Sequence, residues 1–123
     1  MPDPNFVILY VDNPPASARF YAEILGKTPL EASPTFARFQ LASGVMLGLW
    51  SRHTVEPAAA AMSAAGELAF AVDDEESVGA VYADWGKRGL RVAQTPTRMD
   101  FGFTFLALDP DGHRLRVFAP AKP

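Results

Sequence analysis

There is no cysteine among these 123 residues, and there are only two histidines. The first absence excludes disulfide frameworks, thiolate catalysis and every cysteine-based metal site, and it agrees with the cytoplasmic location we expect. Neither sign of charge dominates: 11 Lys and Arg against 14 Asp and Glu leave a net charge of -3. That balance gives no electrostatic basis for binding nucleic acid or an anionic membrane. No apolar run approaches the roughly 20 residues of a membrane helix. The first residues show no basic stretch leading into an apolar core, so no secretory signal is expected. What is present is a globular composition, 49% hydrophobic against 20% charged, in a length that suits one domain.

Phe6-Val7-Ile8-Leu9-Tyr10-Val11 concentrates β-branched and aromatic residues and is stopped by Asp12-Asn13-Pro14-Pro15, which predicts a strand and a turn. From Pro15 to Leu25 the pairs Phe20/Ile24 and Tyr21/Leu25 share helical spacing, and Gly26 ends the pattern. Strands are predicted at Thr28–Glu31, Phe36–Leu41 and Val45–Trp50, the last two joined by Ala42-Ser43-Gly44. Residues 51–65 hold Pro57 and the alanines 58–61, and read as a linker with room for a turn of helix. Beyond it the order recurs. A strand at Leu68–Val72 leads to a helix at Glu75–Lys87 with Val78, Val81, Tyr82 and Trp85 on its buried side. Acidic residues at the start of that helix and Lys87 and Arg88 at its end suit the helix dipole. Strands at Arg91–Ala93, Phe103–Leu108 and His113–Phe118 follow, with Asp109-Pro110-Asp111-Gly112 as the turn before the last.

The recurrence survives subtraction. Displaced by 61 positions, Val11 falls on Val72, Asp12 on Asp73 and Tyr21 on Tyr82. Displaced by 68, Gly44 falls on Gly112, Leu47 on Leu115, Leu49 on Val117 and Trp50 on Phe118. The expectation is a single domain of two βαβββ modules, about 5–50 and about 66–119. A module of about 60 residues scarcely buries its own sheet. Two modules, from one chain or from two, must cover each other.

Alternation along the strands sorts side chains into two faces. Val7/Leu9/Val11, Leu47/Leu49, Leu68/Phe70 and Leu115/Val117 form apolar sets suited to lie under a helix. The opposite sets mix aromatics, small residues and charge: Phe6/Ile8/Tyr10, Met46/Gly48/Trp50, Glu67/Ala69/Ala71 and Arg114/Arg116/Phe118. Small residues, with Ala107 counted among them, leave volume. Trp50, Phe6, Tyr10 and Phe103 or Phe105 supply flat walls, and Arg116 and Glu67 supply polar anchors. Such a surface suits a cavity for a planar ligand; equally, the aromatics fill an interface between modules or subunits.

In order along the chain, Tyr10-Val11-Asp12, Ser17-Ala18-Arg19-Phe20-Tyr21, Leu25-Gly26, Leu68-Ala69-Phe70-Ala71-Val72-Asp73 and Phe105-Leu106-Ala107-Leu108-Asp109-Pro110-Asp111-Gly112-His113 resemble the glyoxalase, bleomycin-resistance and extradiol-dioxygenase superfamily, the vicinal oxygen chelate proteins. The resemblance implies an α+β fold of two paired βαβββ modules forming an open, cup-shaped mixed sheet with helices outside, usually in a homodimer. It also implies four cup-facing metal positions, which fall here on Phe6, Gly48, Glu67 and Arg116. Two of these have no ligand atom and the arginine repels a cation, so no metal or other cofactor is expected.

The members most like this chain are antibiotic-binding resistance proteins that sequester a drug unchanged, and Met46-Leu47-Gly48-Leu49-Trp50 resembles those that bind phenazine-like or quinone-like compounds. The expected function is therefore non-enzymatic binding of a small aromatic molecule. The alternative is a metal-dependent lyase or dioxygenase of the same superfamily. Trp50 is the first candidate for a stacking wall, or else a plug between modules. Arg116 holds a ligand oxygen or pairs with Glu67, which is then itself satisfied. Phe6, Tyr10, Phe103 and Phe105 are further wall candidates, and Arg38 faces either the ligand or solvent. Phe101, in Met99-Asp100-Phe101-Gly102, is a lid aromatic if that segment closes over the cup as the resemblance implies, or else an ordinary loop anchor.

Overall fold

A computed structural model describes residues 3–56, 58 and 66–122. The chain divides into two compact units, Met1–Ser63 and Ala64–Pro123. Each has the expected βαβββ order, an open mixed sheet of four strands and one helix. Most of the predicted linker, residues 57 and 59–65, lies outside the described residues, and with it the turn of helix considered there.

The first unit runs β1 (Phe6–Val11), α1 (Pro14–Leu25), β2 (Glu31–Ala32), β3 (Phe36–Gln40) and β4 (Met46–Ser51). Its sheet order is β1-β4-β3-β2, with β1 parallel to β4 and the other pairs antiparallel. Asn13 caps α1, its side-chain oxygen accepting from Ala16 N at 3.1 Å, and the prolines fall where a helix has no N–H to lose. Gly26 closes the helix at φ 65°, a left-handed position natural to glycine. The buried stripe of α1 is Pro14, Ser17, Ala18 and Tyr21. Phe20, Ile24 and Leu25 are half-buried at its flank, because the small residues allow the helix to lie close to β3 and β4. The second strand is shorter and later than predicted, since Pro29 withholds an N–H and pairing with β3 starts only at Leu30, whose N–H donates to Arg38 O at 2.8 Å.

The second unit runs β5 (Glu67–Ala71), α2 (Glu75–Lys87), β6 (Arg91–Met99), β7 (Gly102–Leu108) and β8 (Arg114–Pro120), in sheet order β5-β8-β7-β6. Asp74 caps α2, accepting from Ser77 N at 2.8 Å and Ser77 Oγ at 2.6 Å. Beneath α2 lie Phe70, Phe105, Leu115 and Val117, with Trp85 near-perpendicular to both phenylalanine rings at 5.6 Å. The sixth strand is three times the predicted length. Pro96 reads as a strand terminator, but β6 is an edge strand and its register shifts between Gln94 and Thr97 absorb the missing donor. The Asp109 turn is as expected, Asp109 Oδ1 accepting from Asp111 N at 2.9 Å and His113 N at 2.8 Å.

The strand registers reproduce the sequence repeat. Phe6 pairs with Met46 and Tyr10 with Trp50 in one unit; Glu67 pairs with Arg114 and Ala71 with Phe118 in the other. Gly48 thus holds in the first unit the place that Arg116 holds in the second.

Candidate functional site

Cross-strand partners share a face, so the registers fix which side chains meet on the side of each sheet away from its helix. In the first unit that open face carries Phe6, Ile8 and Tyr10 from β1, Met46, Gly48 and Trp50 from β4, and Phe36, Arg38 and Gln40 from β3. Gly48 is buried under two rings: a Cβ there would stand 2.8 Å from Phe6 Cε1 and 3.2 Å from Phe36 Cζ. Trp50 is half-buried, its ring near-perpendicular to both Tyr10 and Phe36 with centroids 6.5 Å away. Phe6, Ile8 and Tyr10 remain 38–44% exposed, more than a packed core tolerates. Arg38 stands opposite Gly48 on this face, its Nε donating to Glu31 Oε1 at 2.9 Å. The structure thus brings Trp50, Phe6, Tyr10 and Arg38 together and adds Phe36.

In the second unit the open face is polar at its centre. Arg116 Nε and Nη2 donate to the two carboxylate oxygens of Glu67 at 2.7 and 3.1 Å. Its Nη1 donates to Gln94 Oε1 at 3.1 Å and Thr104 Oγ1 at 3.2 Å. Thr104 is fully buried and passes its own proton to Val117 O at 2.8 Å. Arg114 also holds Glu67, Nε to Oε2 at 2.9 Å. The hydrogen bonds from Arg116, reinforced by the charges of Arg116 and Arg114, keep the Glu67 carboxyl below its ordinary range despite partial burial. That carboxylate is held as an anion and is a poor proton acceptor at neutral pH. Around it, Phe118 and Phe101 meet edge to face at 6.0 Å, and the Arg116 guanidinium stands 5.7 Å over the Phe101 ring.

Four sequence readings need correction here. Phe105 is no wall of the open face: it pairs with Val117, is fully buried, and packs edge to face on Tyr82 at 5.3 Å and Trp85 at 5.6 Å beneath α2. Ala107 is likewise buried on the helix side, opposite Leu115. Phe103 shares that side and lies under the Arg98 guanidinium at 5.6 Å, where Arg98 is paired with Glu75. It lines a helix-side cleft of about 670 Å³. The seventh strand carries no polar alternation to reveal this, being a central strand buried on both faces. Nor is Phe101 on a lid. Met99 pairs with Gly102, leaving Asp100 and Phe101 as the two residues of a tight hairpin turn.

Sequence reasoning missed Gln94 and Thr104, the second pair of acceptors on Arg116. Gln94 was hidden by the bulged strand, and Thr104 by the uniform apolar run around it. Phe118 was within reach, since the same displacement that places Leu49 on Val117 places Trp50 on Phe118.

The four positions at which the resemblance places metal ligands do not fit a cation. Phe6 and Gly48 carry no donor atom, and Glu67 is already gripped by Arg116 on both oxygens. No cluster of three or more His, Cys, Asp or Glu suited to a metal occurs among the described residues. His53 is instead paired with Asp12 at 2.7 Å on the surface of the first unit, with Arg52 3.3 Å from the same oxygen. Among the described residues no helix is long and apolar enough to cross a membrane.

Residues 4–117 match the model of the glyoxalase/bleomycin resistance protein/dioxygenase superfamily. The chain belongs to that superfamily. It is 31% identical over 117 residues to the phenazine antibiotic resistance protein EhpR of Enterobacter agglomerans, covering 93% of this chain and 89% of that one. Among solved structures it is similar to protein ATC0852 of Agrobacterium tumefaciens, with 55% identity, a TM-score of 0.90, and 99% of this chain and all of that one covered. A glyoxalase/bleomycin resistance protein/dioxygenase from Nocardioides gives 25% identity and a TM-score of 0.81, covering 99% of this chain and 85% of that one. Membership of this superfamily accounts for the two βαβββ units and their repeated register.

Proposed function

We propose that this protein binds a planar aromatic antibiotic, phenazine-like or quinone-like, and confers resistance by holding it unchanged, as a homodimer in the cytoplasm. The carrying observation is the aromatic face about Gly48, where Phe6 and Phe36 rest on the glycine, Trp50 and Tyr10 stand beside them, and Phe6 and Tyr10 stay about two-fifths exposed. Exposed, clustered rings favour a flat apolar ligand through stacking and burial. The likeness to a phenazine resistance protein supports the same reading. On its own open face the second unit carries Arg116, Phe101 and Phe118, with Glu67 serving to hold Arg116 in place. Sequestration needs affinity alone. The alternative, metal-dependent chemistry, has no support in the donor set at Phe6, Gly48, Glu67 and Arg116.

Trp50 is the residue on which the reading rests. Titrating the protein with phenazine should quench its emission saturably, and the compound should be recovered intact on denaturation. Trp50→Ala should weaken binding tenfold or more, while Trp85, on the buried side of α2, reports an unchanged fold. A variant that binds phenazine-like and quinone-like compounds as tightly as the parent would overturn the assignment. Native mass spectrometry checks the dimer, and reveals any metal or retained ligand at the same time.

A further inference from the structure

Arg38 stands in the middle row of the open face of the first unit. That row reads Ile8, Gly48, Arg38 and Glu31 across β1, β4, β3 and β2, and the row beside it holds Tyr10, Trp50 and Phe36. Ala37 and Phe39, on either side of Arg38 in the strand, are fully buried. Alternation therefore puts Arg38 on the face away from the helix. Its donors are used at one corner only. Nε donates to Glu31 Oε1 at 2.9 Å, and the two Nη atoms donate to nothing among the described residues. The side chain stays 38% exposed. Arg116 in the second unit is the contrast, with all three nitrogens engaged by Glu67, Gln94 and Thr104 and the side chain 14% exposed.

A guanidinium gripped through Nε keeps its outer edge, the two Nη groups, for another acceptor. That edge offers two N–H groups in parallel, which a carboxylate takes with both oxygens and a lone carbonyl does not match. Net charge does not favour an anion here. Glu31 offsets Arg38, and no other acidic or basic residue stands in the paired rows of this face. Just beyond the ends of β1 and β4, Arg52 and His53 are both paired with Asp12. Selection on this face comes from hydrogen bonds at contact range.

We propose that Arg38 determines which ring is accepted, its free Nη edge taking a carboxylate carried on the rim of a planar aromatic ligand. β1 and β3 are separated by β4, two strand spacings or about 10 Å. A fused three-ring system stacked beside Trp50 spans from Tyr10 to the β3 row and brings a rim carboxylate to Arg38. This rests on the proposed function and adds to it the substituent that the ring carries.

The Arg38–Glu31 pair is exposed at both ends and contributes little to stability, so Arg38 can be replaced in the full chain without unfolding it, which urea unfolding verifies. Equilibrium dialysis at neutral pH compares phenazine, phenazine-1-carboxylate and the neutral phenazine-1-carboxamide, which has nearly the same shape as the carboxylate. The carboxylate should bind at least tenfold tighter than the other two, as hydrogen bonds to a charged group allow. Arg38→Met should lower carboxylate affinity tenfold or more and bring the three compounds together. Arg38→Lys keeps the charge without the paired donors, and should lose most of the preference as well. Equal binding of the three compounds by the parent, or a carboxylate preference that survives in either variant, overturns the inference and leaves the proposed function standing. Failure of the parent to bind any of the three overturns both.

Discussion

The Phe6 ring and the bare Cα of Gly48 are fitted to each other, Phe6 Cε1 lying 2.8 Å from where a Cβ on residue 48 would stand. Phe36 closes the other side at 3.2 Å. The atoms that would be hit are the far ends of two rings, one of them exposed, so they can swing aside. Gly48→Ala should therefore cost less than about 1 kcal/mol of stability. It should also tilt both rings, weakening aromatic ligand binding about tenfold. Urea unfolding together with a Trp50 quenching titration separates the two effects. Unaltered binding with the substituted chain would mean that the ligand does not lie here.

Gly102 is a different case. Its φ of 146° is a conformation side chains rarely adopt, and a Cβ there would stand 2.0 Å from the carbonyl oxygen of Ala119, which is backbone and cannot rotate away. Gly102→Ala should destabilise the chain by at least about 2 kcal/mol, disrupting the hairpin between β6 and β7. Denaturant titration of the variant measures this directly. A loss of under half that amount would show that β7 and β8 separate easily at this point.

These two glycines mark the limits of what the sequence revealed. The faces of β1, β4, β5 and β8 were legible because their residues alternate, and the internal repeat alone was enough to align them: Phe6 answers to Glu67 and Gly48 to Arg116. The face of β7 was not legible, since Phe103-Thr104-Phe105-Leu106-Ala107-Leu108 has one polar residue and is buried on both sides. Parity carries information only where one face meets water. The strand around Gln94 was lost for a different reason, a proline whose missing donor an edge bulge absorbs. The repeat also conserves position without conserving chemistry. One unit has glycine in the middle and aromatics beside it, whereas the other has arginine in the middle and alanines at 69 and 71. Neither centre would be read correctly from the other.

Phe105 and Phe101 provide a paired check on the corrected faces. Phe105 is enclosed by Tyr82, Trp85 and Val117, so Phe105→Ala should cost about 3–5 kcal/mol and shift Trp85 emission. Phe101 is 43% exposed in its turn and touches Phe118 and Arg116. Phe101→Ala should change stability by less than about 1 kcal/mol and act instead on ligand affinity. Thermal unfolding of the two variants side by side, with a binding titration of the second, decides the matter. Equal destabilisation by both would contradict the placement of Phe101 on an open face.

Glu67 gives the chain an acid-sensitive tie. Its carboxyl is held below the ordinary value near 4.5 by hydrogen bonds from Arg116 and by the charges of Arg116 and Arg114. A group whose folded pKa is depressed contributes stability in full above its unfolded pKa, and loses that contribution as pH falls through the folded value. The tie is therefore complete at neutral pH and fails only in acid, below about pH 4.5. Glu67→Gln removes it at every pH, leaving two arginines without their counter-charge. At pH 7 the variant should be less stable by about 1–3 kcal/mol, the usual range for a hydrogen bond to a charged group. As pH drops below 4.5 the parent should approach the variant, because its own Glu67 is being protonated. Melting temperatures measured from pH 3 to pH 8 for both proteins test this. A stability difference that stays constant down to pH 3 would show that Glu67 acts through packing and not through its charge.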